Sequence, residues 1–182
     1  MRNPEKTHEL ILDAAEQVAS EKGLGAMTLE LVAQHASISK GGVLHHFPNK
    51  NALISGLMER LVERFDQKVE SFIAEDSAQP GAYTRAYLRA QLDPDAPSAD
   101  LCLTLISEAR KFPDVMNLLQ KCCIQWQSRV ENDGLDPNVA AAIRFAGEGM
   151  STAKMFGLTG SKCSESVVQF LLGLARGPES SH

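Results

Sequence analysis

Apolar residues recur at helical spacing from the start of the chain. Leu10, Ile11, Ala14, Ala15, Val18 and Ala19 fall on one stripe, predicting a helix over 7–22 with one face against a core. Gly23 supplies a left-handed stop, and Gly25 keeps the following turn loose. Thr28 is a favourable N-cap for a short helix to about His35, which would bury Leu31, Val32 and Ala36. The turn Ala36-Ser37-Ile38 leads to a second cap, Ser39, and a third short helix to about His46. Phe47-Pro48-Asn49 breaks that helix, because proline pushes the residue before it out of the helical region. Asn49 then caps a long fourth helix, whose stripe of Leu53, Ile54, Leu57, Leu61, Val62, Phe65, Val69, Phe72 and Ile73 persists over many turns.

Further breaks fall at 77–81, 93–97, 132–137 and 157–164. They separate helical candidates over 83–92, 99–112, 113–131, 138–156 and 166–175. No run alternates with period two, so the predicted fold is all-α. The expected division is a domain of three short helices over 1–48, a larger helical domain over 49–177, and a disordered tail over 178–182.

Composition changes this picture little. Aromatics make up 5% of the 182 residues, so the core must be mostly aliphatic, which suits packed helices. The net charge of −5 argues mildly against a nucleic-acid partner. Up to Lys50, the basic Arg2, Lys6, Lys22, Lys40 and Lys50 face the acidic Glu5, Glu9, Asp13, Glu16, Glu21 and Glu30. A DNA-binding role therefore requires charge segregated by face: Lys40, His45 and Lys50 around the third helix, Arg2 and Lys6 on a mobile arm, and Glu9, Asp13 and Glu16 on a solvated face. Cys102, Cys122, Cys123 and Cys163 form no C-x-x-C pair and read as reduced, small apolar residues. The N-terminus lacks the apolar core of a signal peptide and no run is long enough to span a bilayer, so the expected location is cytoplasmic.

The most informative stretch is the pair of short helices around Ala36-Ser37-Ile38-Ser39. A helix, a brief turn and a second short helix present a recognition helix to the major groove. In order and spacing, Ile11, Ala14, Ala15, Gly23, Thr28, Val32-Ala33, Ser39, Gly41, His46-Phe47 and Lys50 match the N-terminal signature of the TetR (tetracycline-repressor-like) regulators. The resemblance covers about 7–57. Two residues depart from it: Ser37 stands where the family usually has Gly, and Leu44 where it usually has a phosphate-contacting Tyr.

The resemblance implies roles for particular residues. Lys50, at the start of the fourth helix, suits a phosphate. Thr28 and Ser39 cap their helices and are placed to touch the DNA backbone. Lys40 lies at the end of the recognition helix that faces base edges, and donates to guanine or phosphate. Gly41 and Gly42 weaken that helix by about 1 kcal/mol each relative to Ala, which is easier to justify if backbone approaches DNA closely. His45 faces DNA, whereas His46 packs beside a core Phe47. Adjacent helical residues point about 100° apart, so His45 and His46 are not expected to share a metal, and no cofactor is expected.

The resemblance further implies a C-terminal domain that binds a small molecule and forms a homodimer. Two apolar stripes run along 138–156: Val139, Ile143, Ala146, Met150 and Ala153, and Ala142, Phe145, Gly149 and Phe156. With the last helix, this segment is expected to pair with its copy, with Gly147 and Leu171 in the interface. A ligand cavity is expected among Tyr87, Leu105, Phe112, Met116, Leu119, Trp126 and Met150, with Trp126 foremost. The resulting function is a regulator, most simply a repressor, that binds palindromic double-stranded operator DNA and is released by a small apolar effector. Hydrolase, phosphate-loop and zinc-protease motifs are missing, so no enzymatic activity is expected. The competing reading is a helical protein-interaction module that does not bind DNA.

Overall fold

The computed structural model describes residues 3–93, 104–107, 109–158 and 161–176, except the side chains of residues 155 and 161–164. Among them, every regular element is helical. In chain order these are α1 (Pro4–Ala26), α2 (Leu29–His35), α3 (Lys40–His46), α4 (Lys50–Glu75), α5 (Ala82–Leu92), a 3-10 turn (Ala109–Lys111), α6 (Pro113–Glu131), α7 (Pro137–Met155) and α8 (Ser161–Leu174). Most of the helix predicted over 99–112, and the tail over 178–182, lie outside the described residues.

Local chemistry explains most element starts. α1 begins earlier than its apolar stripe, because Asn3 accepts a hydrogen bond from the Glu5 amide at 3.0 Å and Pro4 fits the first helical position. Lys6 therefore sits in a helix, not on a mobile arm. Gly23, at φ 76°, kinks the helix where a stop was predicted. Thr28, Ser39 and Asn49 accept from the amides of Leu31, Gly42 and Ala52 at 3.1, 3.1 and 2.9 Å. Asp136 does the same for α7, accepting from Asn138 and Val139.

The chain packs as two compact units, Met1–Val62 with Pro97–Gln120, and Glu63–Ala96 with Lys121–His182. The first stretch of the first unit ends within α4, which runs unbroken from Lys50 to Glu75. In the first unit the core joins Ile11, Ala15 and Val18 of α1, Val32 of α2, Val43 of α3, and Leu53, Ile54 and Leu57 of α4. Leu105, Ala109 and Val115 complete it. Phe47 is buried, and a Cβ on Gly56 of α4 would lie 2.7 Å from its ring, so this glycine seats the ring. Glu9, Asp13 and Glu16 are less free than a solvated face suggests. All three reach the buried Arg60 guanidinium, at 3.4, 2.8 and 2.7 Å, and tie α1 to α4.

In the second unit the buried Arg85 gathers distant parts of the chain. It pairs with both carboxylate oxygens of Asp76, at 2.9 and 3.1 Å, and donates to the carbonyls of Pro80 and Ala175, each at 2.8 Å. Asp133 caps α5 from a loop fifty residues on, accepting from the amides of Tyr83 and Thr84 at 3.1 and 2.6 Å. Leu88, Ile143, Leu171 and Ala175 form the core shared by α5, α7 and α8.

Candidate nucleic-acid interface

The first unit carries the residues predicted to meet DNA. α2 and α3 flank a four-residue turn, Ala36 to Ser39, in which Ser37 takes φ 52°, while Ile38 packs on the core. Val43 and Phe47 point inward from α3, and Lys40, Gly41, Leu44 and His45 are exposed on its outer side. The sequence pattern thus segregates an apolar root from a solvent-facing surface. Thr28 and Ser39 are also exposed; beyond its capping bond the Thr28 hydroxyl donates to the Glu30 carboxylate, and the Ser39 hydroxyl has a proton left to donate.

Two lysines are engaged in ways the sequence does not reveal. The Lys40 ammonium forms an ion pair with Glu30 of α2, and that hydrogen bond holds the Glu30 carboxyl below its ordinary pKa. Lys50 donates to the Gly25 carbonyl at 3.1 Å, which fixes its stem across the end of α1 and leaves two N–H donors. Gly41 and Gly42 have room for a side chain: a Cβ would come no closer than 3.9 and 3.4 Å, respectively, to its nearest neighbour, the Ser39 hydroxyl oxygen. Nothing inside the molecule requires glycine at either position.

The histidines cluster at the root of α3. His8 of α1 lies with its ring centroid 4.8 Å from Phe47 and 6.0 Å from His46, and His45 is 5.4 Å from His46. Burial, then the neighbouring His45 and His8, lower the His46 pKa below its ordinary value. His46 is thus a packed, neutral ring and His45 an outward one. Among the described residues no group of three or more His, Cys, Asp or Glu is arranged to hold a metal ion.

The seven residues expected to line a ligand cavity separate into three clusters. Leu105, Phe112, Met116 and Leu119 belong to the core of the first unit. Tyr87 and Trp126 join Phe65 in the second, with ring centroids 5.1 to 5.9 Å apart. Met150 packs with Leu88 and Ile143. The polar atoms of the aromatic cluster are already engaged: Trp126 donates to Asp66 at 2.7 Å and Tyr87 to Glu148 at 3.0 Å. Burial raises the Tyr87 pKa, so its hydroxyl stays a donor. Glu148 also pairs with the buried Arg144 at 2.9 Å. Asp66, Arg144 and Glu148 escaped the sequence reading, which weighed apolar residues alone.

The two stripes of α7 have opposite fates. In the first stripe Val139 is exposed, but Ile143 is buried and Ala146, Met150 and Ala153 are half-buried, whereas Ala142, Phe145, Gly149 and Phe156 are all exposed. Phe145, Phe156, Leu158 and Phe170 are 59%, 58%, 77% and 65% exposed. Gly147 and Leu171 were expected at an interface, but both face inward. A Cβ on Gly147 would meet Leu88 at 2.7 Å, and Leu171 packs in the core. An open groove of about 570 Å³ beside α8 is lined by Pro80, Gly134, Leu135, Asp136, Val139, Phe170, Gly173 and Leu174.

A short helix, a tight turn and an outward-facing second helix, rooted on a three-helix core, define a helix-turn-helix protein. Residues 11–57 match the model of the bacterial regulatory proteins of the TetR family, and residues 81–176 that of the tetracyclin repressor-like C-terminal domain. The chain therefore belongs to the TetR family, whose members are transcription regulators rather than enzymes. No curated protein matches it in sequence. Solved structures share the fold. A transcriptional regulator from a Rhodococcus species is 19% identical with a TM-score of 0.72, covering 93% of this chain and 94% of that one. Salmonella enterica GusR is 19% identical with a TM-score of 0.71, covering 97% and 98%. The multidrug binding protein EbrR, solved with imidazole, is 20% identical with a TM-score of 0.69, covering 98% and 94%. No helix among the described residues is long and apolar enough to cross a membrane.

Proposed function

We propose that the chain is a ligand-responsive transcription regulator that binds palindromic operator DNA as a homodimer, acts as a repressor and is released by a small apolar effector. The observation that carries this reading is the exposed outer side of α3, with Lys40, Gly41 and His45 free of the core and Thr28, Ser39 and Lys50 at its flanks. Gly42 completes the set, half-buried against Ser39. Phosphate contacts by Lys50, Thr28 and Ser39 would set register, and Lys40 and His45 would read base edges.

The reading head corresponds to 1–48 and the sensor and dimer domain to 49–177. Exposed aromatic rings on α7 and α8 support self-association, because large apolar side chains left in water favour a partner. The Phe65, Tyr87 and Trp126 cluster is the best candidate for effector contact, flat rings with polar groups at their rim. EbrR, a multidrug binding protein of the same fold, supports a small-molecule response.

Selection of randomised double-stranded DNA by the purified protein tests the reading. The expected result is a palindrome with half-sites about one helical turn apart, or a multiple of it. No enrichment at low salt by folded protein would overturn it in favour of the interaction module.

A further inference from the structure

The ion pair between Glu30 and Lys40 has no structural need that accounts for it. Its two side chains are 55% and 54% exposed, and a pair so wet contributes little to stability. Glu30 also carries a negative charge on the same helix-turn-helix unit as the groups facing phosphate, where it opposes DNA binding at any sequence. A cost to affinity with no return in stability calls for a return in selectivity.

We infer that Glu30 is a specificity-determining residue, whose carboxylate holds the Lys40 ammonium on the reading face so that Lys40 reads a base edge rather than a phosphate. The inference rests on the DNA-reading function proposed above. An unpaired lysine is a flexible point charge that satisfies itself on the nearest phosphate, which carries no sequence information. Held by Glu30 across the α2–α3 turn, the ammonium keeps two N–H donors. Two donors match guanine, whose O6 and N7 both accept in the major groove. Reaching a phosphate instead would leave the Glu30 carboxylate without its cationic partner beside the DNA, a like-charge penalty that falls on nonspecific binding.

The test compares the full-length protein with Glu30→Gln, Lys40→Gln and the double variant, on the DNA selected by wild type and on that site with one base pair altered, over a range of salt. Wild type should discriminate a guanine at one half-site position. E30Q should lose that discrimination by about fivefold or more, bind random DNA more tightly, and show a salt dependence steeper by about one unit in log–log slope. In the K40Q background E30Q should change nothing further at that base pair. E30Q with wild-type discrimination and slope would overturn the inference, as would equal effects with and without Lys40. K40Q alone keeps the test decisive if E30Q folds poorly: uniform weakening across sequences would make Lys40 a phosphate contact and refute the assignment. Wild type that enriches no sequence would refute the DNA reading itself, and this inference with it.

Discussion

Ser37 occupies a left-handed backbone position, φ 52°, the one non-glycine among the described residues to do so. A side chain there costs about 1–2 kcal/mol, partly offset because glycine adds about 0.5–1 kcal/mol of unfolded-state entropy. Ser37→Gly should therefore stabilise the protein by about 0.5–1 kcal/mol, seen as a thermal midpoint about 2 °C higher. A lower midpoint would mean that the Ser37 hydroxyl contributes something the backbone geometry hides. Gly41 argues in the other direction. A Cβ there meets only Ser39, at 3.9 Å, so Gly41→Ala should gain up to about 1 kcal/mol in stability. If backbone at Gly41 approaches DNA, the same change should weaken operator binding by about tenfold. Gain of stability without loss of affinity would leave Gly41 as no more than a weak helix former. Caps such as Thr28 and Ser39 were legible because partner and cap lie three residues apart. The Lys40 pairing was not, because Glu30 lies across a turn whose geometry the sequence does not specify.

At the scale of elements, apolar periodicity placed α2, α3, α4, α6 and α7 within a residue or two. It placed α8 five residues late, since Ser161-Lys162-Cys163-Ser164 carries no stripe to announce a helix. What joins the elements was less visible, because the joining groups are distant in sequence. Arg85 reaches Ala175 ninety positions away, and Arg60 reaches Asp13 forty-seven positions away. The Arg85 knot has a pH signature. Hydrogen bonding from Arg85 holds the Asp76 carboxyl below its ordinary value of 3.8, so the folded pKa lies under the unfolded one. The stabilisation is then complete above the unfolded pKa and is lost as pH falls through the folded one. Urea midpoints measured between about pH 5 and pH 2 should fall steeply for wild type and less steeply for Asp76→Asn. Parallel curves would show that other carboxylates, such as those on Arg60, govern acid unfolding.

For the whole molecule, the decisive question is what covers the aromatic side chains of α7 and α8. The sequence showed two apolar stripes on α7 but not which one turns inward. That choice depends on α5, whose Leu88 fills the space beside Gly147. The consequence is a clean separation between core and surface substitutions. Leu171→Ala opens a cavity in the core of the second unit and should cost about 2–5 kcal/mol whatever the oligomeric state. Phe145→Glu combined with Phe170→Glu alters rings already 59% and 65% exposed, so helical content should survive. If these faces pair two copies, that double variant should run as a monomer in light scattering. Its affinity for the palindrome should then fall by about 10²–10⁴, toward that of a single half-site, because the second reading head no longer benefits from being tethered to the first. A double variant that remains dimeric and keeps its operator affinity would place the dimer contact elsewhere. The exposed rings would then need another partner, since solvent alone does not favour Phe145 on α7, Phe170 on α8, and Phe156 and Leu158 just beyond α7.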